Sequence, residues 1–448
     1  MQLKNLIHNQ IKNAGIYFKN NNFGSIAFTL GTFFLVSALP ISILFYLISI
    51  IKTFSNIKFY FKSKYNLTLL IISGIMLFST FNIVSKFNYI NFIDPYKNNI
   101  IWLGLVNWIP FFLFFITSQQ YLKNSNQRKA FSNALISGLI PLLFSCAMQY
   151  WFSIYGPFEL MNGLIIWFQD PIINSGITGL FNNQNYTGLW LTAILPFVFT
   201  ELINKNNNFS KRLFLTILIS LIVYFTFLTT SRNAILGILI SIFFFFRFRS
   251  LFFVPLTIIF VFLIKFSNQL FVGIEISNKN FPLEMLLNKF KFISLSNVNL
   301  SRIEIYGIAS DLISQNPIYG IGSSIFPYLY QNAGGVWEAQ HAHNIILEIA
   351  LNFGIPSAIL LTFFVLSILI KSFFKLYPFS DKNKSYTIEK SILISTLVIV
   401  VSHFFDITYY DGRISLLSWG LLSALKCIID DKDITYNNYK LFKNKTIS

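Results

Sequence analysis

Residues 23–51 read FGSIAFTLGTFFLVSALPISILFYLISII, 29 residues without a charge and with Pro40 in the second half. A helix crossing a bilayer needs about 20 apolar residues to span roughly 30 Å of hydrocarbon. The run is too long for one straight crossing and short for two. Working outward, apolar runs recur near 67–84, 100–116, 133–150, 185–203, 213–229, 234–246, 250–266, 344–370, 391–405 and 414–429. The 448-residue chain is 54% hydrophobic, 18% aromatic and only 11% charged, against about 25% charged in soluble domains. A water-soluble globule is excluded, and the expectation is an all-α, polytopic bundle of transmembrane helices.

Charge decides how 23–51 is read. If it crosses once, Lys52, Lys58, Lys62 and Lys64 fall on the side opposite the basic residues Lys4, Lys12 and Lys19. If Pro40 marks a hairpin tip, every basic loop falls on one side, as the positive-inside tendency favours. The second reading gives about twelve crossings, with 25 of the 34 Lys and Arg residues inside and both termini cytoplasmic. It divides the chain into a cytoplasmic segment 1–22, a core of about nine spans at 23–266, a periplasmic loop at 267–342, about three spans at 343–430 and a cytoplasmic tail at 431–448. The apolar stretch after residue 22 is longer than a signal-peptide core and reads as a retained anchor.

The formal net charge of +17 sits in short loops between apolar runs, with no basic face interleaved with aromatics. It reads as topology, and nucleic acid is not an expected partner. Cys146 and Cys427 each lie inside an apolar run towards opposite faces, so neither a disulfide framework nor a thiolate metal site is expected.

The 267–342 loop is far longer than an ordinary connection. Leu300 to Ser314 alternates apolar and polar residues at helical spacing, and the turn-rich Asn316-Pro317-Ile318-Tyr319-Gly320-Ile321-Gly322 follows. Ionisable residues avoid mid-span positions and gather at the outer ends: Arg232, Arg302, Glu304, His341, His343, Asp406, Asp411 and Arg413. That pattern fits chemistry at the outer boundary of the membrane better than a transport path, which places such groups near the midplane.

Arg232 and Arg302 each admit two readings. One is a snorkelling residue or lipid-headgroup contact, with an ion pair to Glu304 or Asp311 as a further possibility for Arg302. The other is a ligand for phosphate, whose oxygens match the planar guanidinium fork. His341 and His343 stand at the entry to an apolar helix and read either as a helix cap or as a source of one general base. Their i, i+2 spacing does not share a helical face, and no cysteine or clustered carboxylate nearby completes a set, so a metal is not expected.

Several short motifs carry a resemblance. They are His341-Ala342-His343-Asn344-Ile345-Ile346-Leu347 followed by Phe353-Gly354-Ile355-Pro356, Ser231-Arg232-Asn233-Ala234, Ser301-Arg302, the Asn316–Gly322 turn, and Phe181-Asn182-Asn183-Gln184-Asn185. In order and spacing the chain resembles the O-antigen ligase and Wzy-type polymerase superfamily, whose signature is His-Asn-x-x-Leu. Gln184 departs from it at a place often taken by proline. The resemblance implies a metal-independent, inverting glycosyltransferase of the C type in the bacterial inner membrane, with its active face periplasmic and without a cofactor. The donor it implies is a glycan on undecaprenyl pyrophosphate, and the acceptor a hydroxyl on a glycan or lipid. By position, His343 would be the catalytic base and Arg232 and Arg302 the pyrophosphate ligands, with His341, Asn185 and Glu304 in support. A polymerase or protein O-oligosaccharyltransferase would use the same chemistry. A bicarbonate transporter and a non-catalytic assembly scaffold are the readings from other classes.

Overall fold

The computed structural model describes residues 23–54, 57–87, 96–172, 176–246, 297–336, 339–377, 387–432 and 434. The described residues are mostly helical, with one small hairpin. The helices are α1 (Phe23–Phe34), α2 (Leu39–Phe54), α3 (Lys64–Phe87), α4 (Tyr96–Val106), α5 (Ile109–Ser118) and α6 (Ser125–Trp151), followed by α7 (Gln184–Ile203), α8 (Phe209–Leu228) and α9 (Arg232–Phe246). After the long loop begin α10 (Asn297–Gln315), α11 (Phe326–Asn332), α12 (Ile345–Phe353), α13 (Ile355–Leu376), α14 (Thr387–Ser402) and α15 (Gly412–Asp430). Between α6 and α7, strands β1 (Phe158–Leu160) and β2 (Ile165–Trp167) pair antiparallel.

Among the described residues, seven helical segments are long and apolar enough to cross a membrane, and α1, α2 and α9 are shorter apolar helices. The chain is therefore a multi-pass membrane protein. The expected run at 250–266 and the first part of the expected periplasmic loop, up to residue 296, lie outside the described residues.

The 23–51 run folds back on itself. The break falls at residues 35–38, and Pro40 takes an early position of α2, where its missing N–H costs nothing. The two helices pack antiparallel through the Ser42 hydroxyl on the Gly31 carbonyl (2.7 Å) and Tyr46 on Thr32 (3.1 Å). The indole of Trp167, in the loop between α6 and α7, donates to the Ser37 carbonyl at 2.6 Å. The tip of the hairpin therefore lies at the same end as that loop.

The run at 344–370, expected as one crossing, is broken. Gly354 stands at φ +86 between α12 and α13, and a Cβ there would collide with the Ile318 carbonyl. The Asn316–Gly322 turn is clasped to this break by Ile321 N–H to Leu351 O (2.6 Å) and Ile355 N–H to Pro317 O (2.8 Å). The two glycine-bearing motifs are halves of one junction.

Helix α7 is buried on nearly every side, against α6, α8, α9 and α14, as a mostly apolar helix without a distinct polar face requires. The chain's abundant asparagine supplies helix caps: Asn124, Asn183, Asn208 and Asn344 each accept a backbone N–H at the start of α6, α7, α8 and α12. Such caps contribute about 1 kcal/mol each. At one end of the bundle Arg128, 1% exposed, pairs with Glu389 at 3.0 Å and Asp431 at 2.8 Å. The candidate site lies at the other end of α14, whose 16 residues rise about 24 Å.

Candidate active site

The site is built from chain breaks. Helix α14 ends at Ser402, and the irregular stretch before α15 carries Asp406. The His341–Asn344 loop leads into α12, and Asn183 and Asn185 stand at the start of α7. These three places converge on the Asp406 carboxylate. His343 Nδ1 lies 3.4 Å from its Oδ1, and Asn185 Nδ2 donates to its Oδ2 at 2.8 Å. The His343 side chain is 30% exposed and Asp406 12%. With Nδ1–H turned to Asp406, the histidine keeps the Nε2 lone pair for an incoming proton, the arrangement a general base requires.

The His341–Asn344 loop is held from several sides. Asn344 caps α12 by accepting from the Ile346 and Leu347 amides (3.0 and 3.2 Å) and donates to the Phe404 carbonyl (3.3 Å). The Ile345 amide donates to the His403 carbonyl at 3.0 Å. The His-Asn pair thus has a physical reason: asparagine both caps the helix and ties it to the segment bearing Asp406. Buried Glu348 accepts from the Ala342 amide (3.0 Å), the Tyr410 hydroxyl (2.6 Å) and Asn352 (3.2 Å). His343 itself has φ +50, the left-handed region, which a non-glycine residue occupies at a cost of about 1–3 kcal/mol and which clusters at functional sites.

His341 lies with its ring 4.4 Å from that of His343, centroid to centroid, and its Nδ1 accepts from the His343 amide. Burial first, and then the positive charge of His343, push it down to about 4. It stays neutral near pH 7. Burial alone would raise Asp406, but the His343 bond, the charges of His341 and His343 and the Asn185 bond outweigh it and hold the carboxyl below its ordinary value. The spacing argument against the histidine pair assumed a helix. The two residues lie in a loop, which brings both rings together, and the carboxylate missing from the neighbouring sequence arrives from 63 residues on, as Asp406.

Arg232 stands at the start of α9, after the buried Thr229-Thr230-Ser231 turn. Desolvation first, and then the positive charge of Arg302 on α10, lower its pKa. The two arginines are therefore close enough to feel one another's charge, although 69 residues of chain separate them. Gly188, one turn into α7, makes this end compact: a Cβ there would stand 2.6 Å from that of Ala234 and 3.4 Å from that of Ser231. The start of α9 is thereby drawn against the start of α7, which carries Asn185. Helix α10 packs on α12, the helix that follows His343. Among the described residues Arg302 forms no ion pair with Glu304 or Asp311. Glu304 accepts instead from the Tyr330 hydroxyl (2.9 Å) and the Val336 amide (2.8 Å), which fixes the stretch after α11.

Asp406 and the brace beside it were named from sequence only among the charges at helix ends, without a role in the site. Arg413 binds Asp411 at 2.6 Å, donates to the Leu180 carbonyl at 3.1 Å and stacks 3.8 Å over the Phe181 ring. It ties the start of α15 to the approach to α7. Only the gathering of charges at outer helix ends hinted at these groups.

Residues 215–362 match the Wzy_C family, described as O-antigen ligase. Over this segment, a third of the chain, the protein is similar to the O-antigen ligase superfamily. The match takes in Arg232, Arg302, His341 and His343 and leaves Asn185 and Asp406 outside. The family implies an enzyme of glycosyltransferase type, with a ligase-like part in assembling cell-surface glycans from lipid-linked donors onto acceptors. No curated protein matches the chain.

Proposed function

We propose that the chain transfers a glycan from undecaprenyl pyrophosphate to an acceptor hydroxyl, with inversion and without a metal, at the periplasmic face of the bacterial inner membrane. The observation that carries this reading is the His343–Asp406 pair, oriented by Asn185 and built on helix ends that pack against those bearing Arg232 and Arg302. Pyrophosphate is already a good leaving group. Its departure calls for charge stabilisation, which two guanidinium groups supply.

The acceptor hydroxyl is the poor partner. His343 Nε2 takes its proton as the oxygen attacks the anomeric carbon, a step typically worth about 10²–10⁴ in rate. The new C–O bond forms as the bond from that carbon to the pyrophosphate oxygen breaks, and the electron pair leaves with pyrophosphate between the arginines. Attack from the face opposite the leaving group inverts the centre. Asp406 steadies the imidazolium that results.

The test is reconstitution. Purified protein is given labelled undecaprenyl-pyrophosphate glycan and, separately, a lipid-core acceptor, a second lipid-linked glycan or a protein acceptor, and the products are resolved. Transfer to the lipid core is expected. Product on a second lipid-linked glycan assigns a polymerase, product on protein an oligosaccharyltransferase, and absence of every product sinks the transfer reading.

A further inference from the structure

We propose that His341, His343 and Asp406 form a binding site for a divalent transition-metal ion of the zinc type, and that the ion competes with glycan transfer. One ligand atom from each of the three lies within 4.8 Å of the other two. A tetrahedral zinc site with bonds of about 2.0–2.2 Å places its ligand atoms about 3.3–3.6 Å apart, so side-chain rotations of about an ångström close the set.

Three features make this a built site. The left-handed backbone at His343 sets the two imidazoles side by side, tilted 71° to one another. Asn185 holds the other Asp406 oxygen, the kind of outer contact that orients a ligating carboxylate and is commonly worth 10–100-fold in affinity. His343 keeps 30% of its side chain exposed, which gives an ion a way in and leaves a fourth position for water. Two nitrogens and one oxygen suit zinc, cobalt or nickel; magnesium and calcium prefer all-oxygen shells.

The competition rests on the transfer reading above, whereas the binding does not. An ion seated here takes the imidazole lone pair and the Asp406 oxygen that His343 needs as a base, so the acceptor hydroxyl keeps its proton. Each ion bound removes one base.

The experiment uses full-length protein in detergent, freed of metal by chelator and with no glycan present. Cobalt is titrated in and followed by its visible absorption, then displaced by zinc. One ion per chain is expected, with affinity at least about tenfold weaker in His341→Gln and in Asp406→Asn, and unchanged in His403→Ala and on adding a large excess of magnesium. Because a variant may lose its fold, a second measurement uses wild-type protein alone: zinc should protect His343 from modification by diethyl pyrocarbonate, read by mass spectrometry. Failure of cobalt to bind stoichiometrically, or zinc that leaves His343 fully reactive, overturns the site. In the transfer assay zinc should inhibit reversibly, and the ratio of activity with zinc to activity without it should rise in His341→Gln. Stimulation by zinc would overturn the competition while leaving the site standing.

Discussion

Asn185 and His343 share one carboxylate: the amide holds Asp406 Oδ2 at 2.8 Å, and the imidazole lies 3.4 Å from Oδ1. Asp406 is thereby aimed at the histidine by a residue 221 positions earlier in the chain. Asp406→Asn should lower turnover by about 10²-fold or more while leaving the donor KM nearly unchanged, because the amide keeps the shape but no longer steadies the imidazolium. Asn185→Ala should give a smaller loss in the same direction. Unchanged turnover in a folded Asp406→Asn variant would detach the aspartate from the histidine.

The two histidines should differ. His343→Asn is the cleaner variant, since asparagine tolerates the left-handed φ of +50 that alanine does not. It should bind the lipid-linked donor and form no product. His341→Ala should keep measurable transfer. A dead His341 variant beside an active His343 variant would move the base by two residues.

Arg232→Ala and Arg302→Ala should each lower turnover by on the order of 10²–10³, as loss of a donor to a developing anion does. Lysine should rescue only in part, since it restores the charge without the fork. Full activity in a folded double alanine variant, measured by product formation, would take both residues out of the mechanism.

Acid should destabilise the fold before it protonates ordinary carboxylates. His341 is held at about 4 when folded and titrates near 6.5 when unfolded. Between those values the unfolded chain binds a proton that the folded chain does not, so stability rises with pH through this window and falls on acidification. The lowered Asp406 carboxyl extends the loss below it. Burial lowers His403 to about 4 as well, so thermal unfolding in detergent across pH 4–7 should show the slope and His341→Gln should reduce it without abolishing it.

The hairpin at 35–38 makes a prediction about sidedness. A cysteine replacing Ser37, which receives the Trp167 indole, should react with an impermeant thiol reagent in intact cells, and one at Asn206 should not. Labelling at both would refute a tip that shares the outer face.

The membrane character, the fold-back of 23–51 and the helix through Leu300–Ser314 were legible because apolar length and charge parity act locally. The broken run at 344–370 was not. The residues that force the break, Gly354 and the Pro317–Ile318 turn, are 36 positions apart, and the clash between them exists only when both are folded. Arg232, Arg302 and His343 were visible because short motifs surround them. The role of Asp406, named only as one of the gathered charges, was not, since its stretch His403-Phe404-Phe405-Asp406 looks like any end of an apolar run and its partners lie at 185 and 343. Glu304 holds the stretch after α11 through Tyr330 and Val336, contacts that its place in the sequence does not announce.

The ion cluster at the far end of α14 sets an order of events during synthesis. Arg128 is nine-tenths or more buried, and its acidic partners lie at 389 and 431, so more than half of the chain must be made before either exists. A buried guanidinium without a partner costs about 3–5 kcal/mol. A truncated product ending before α14 would carry both arginines and the histidine, yet Arg128 would be left with only the Leu122 and Lys123 carbonyls and neither of its carboxylates.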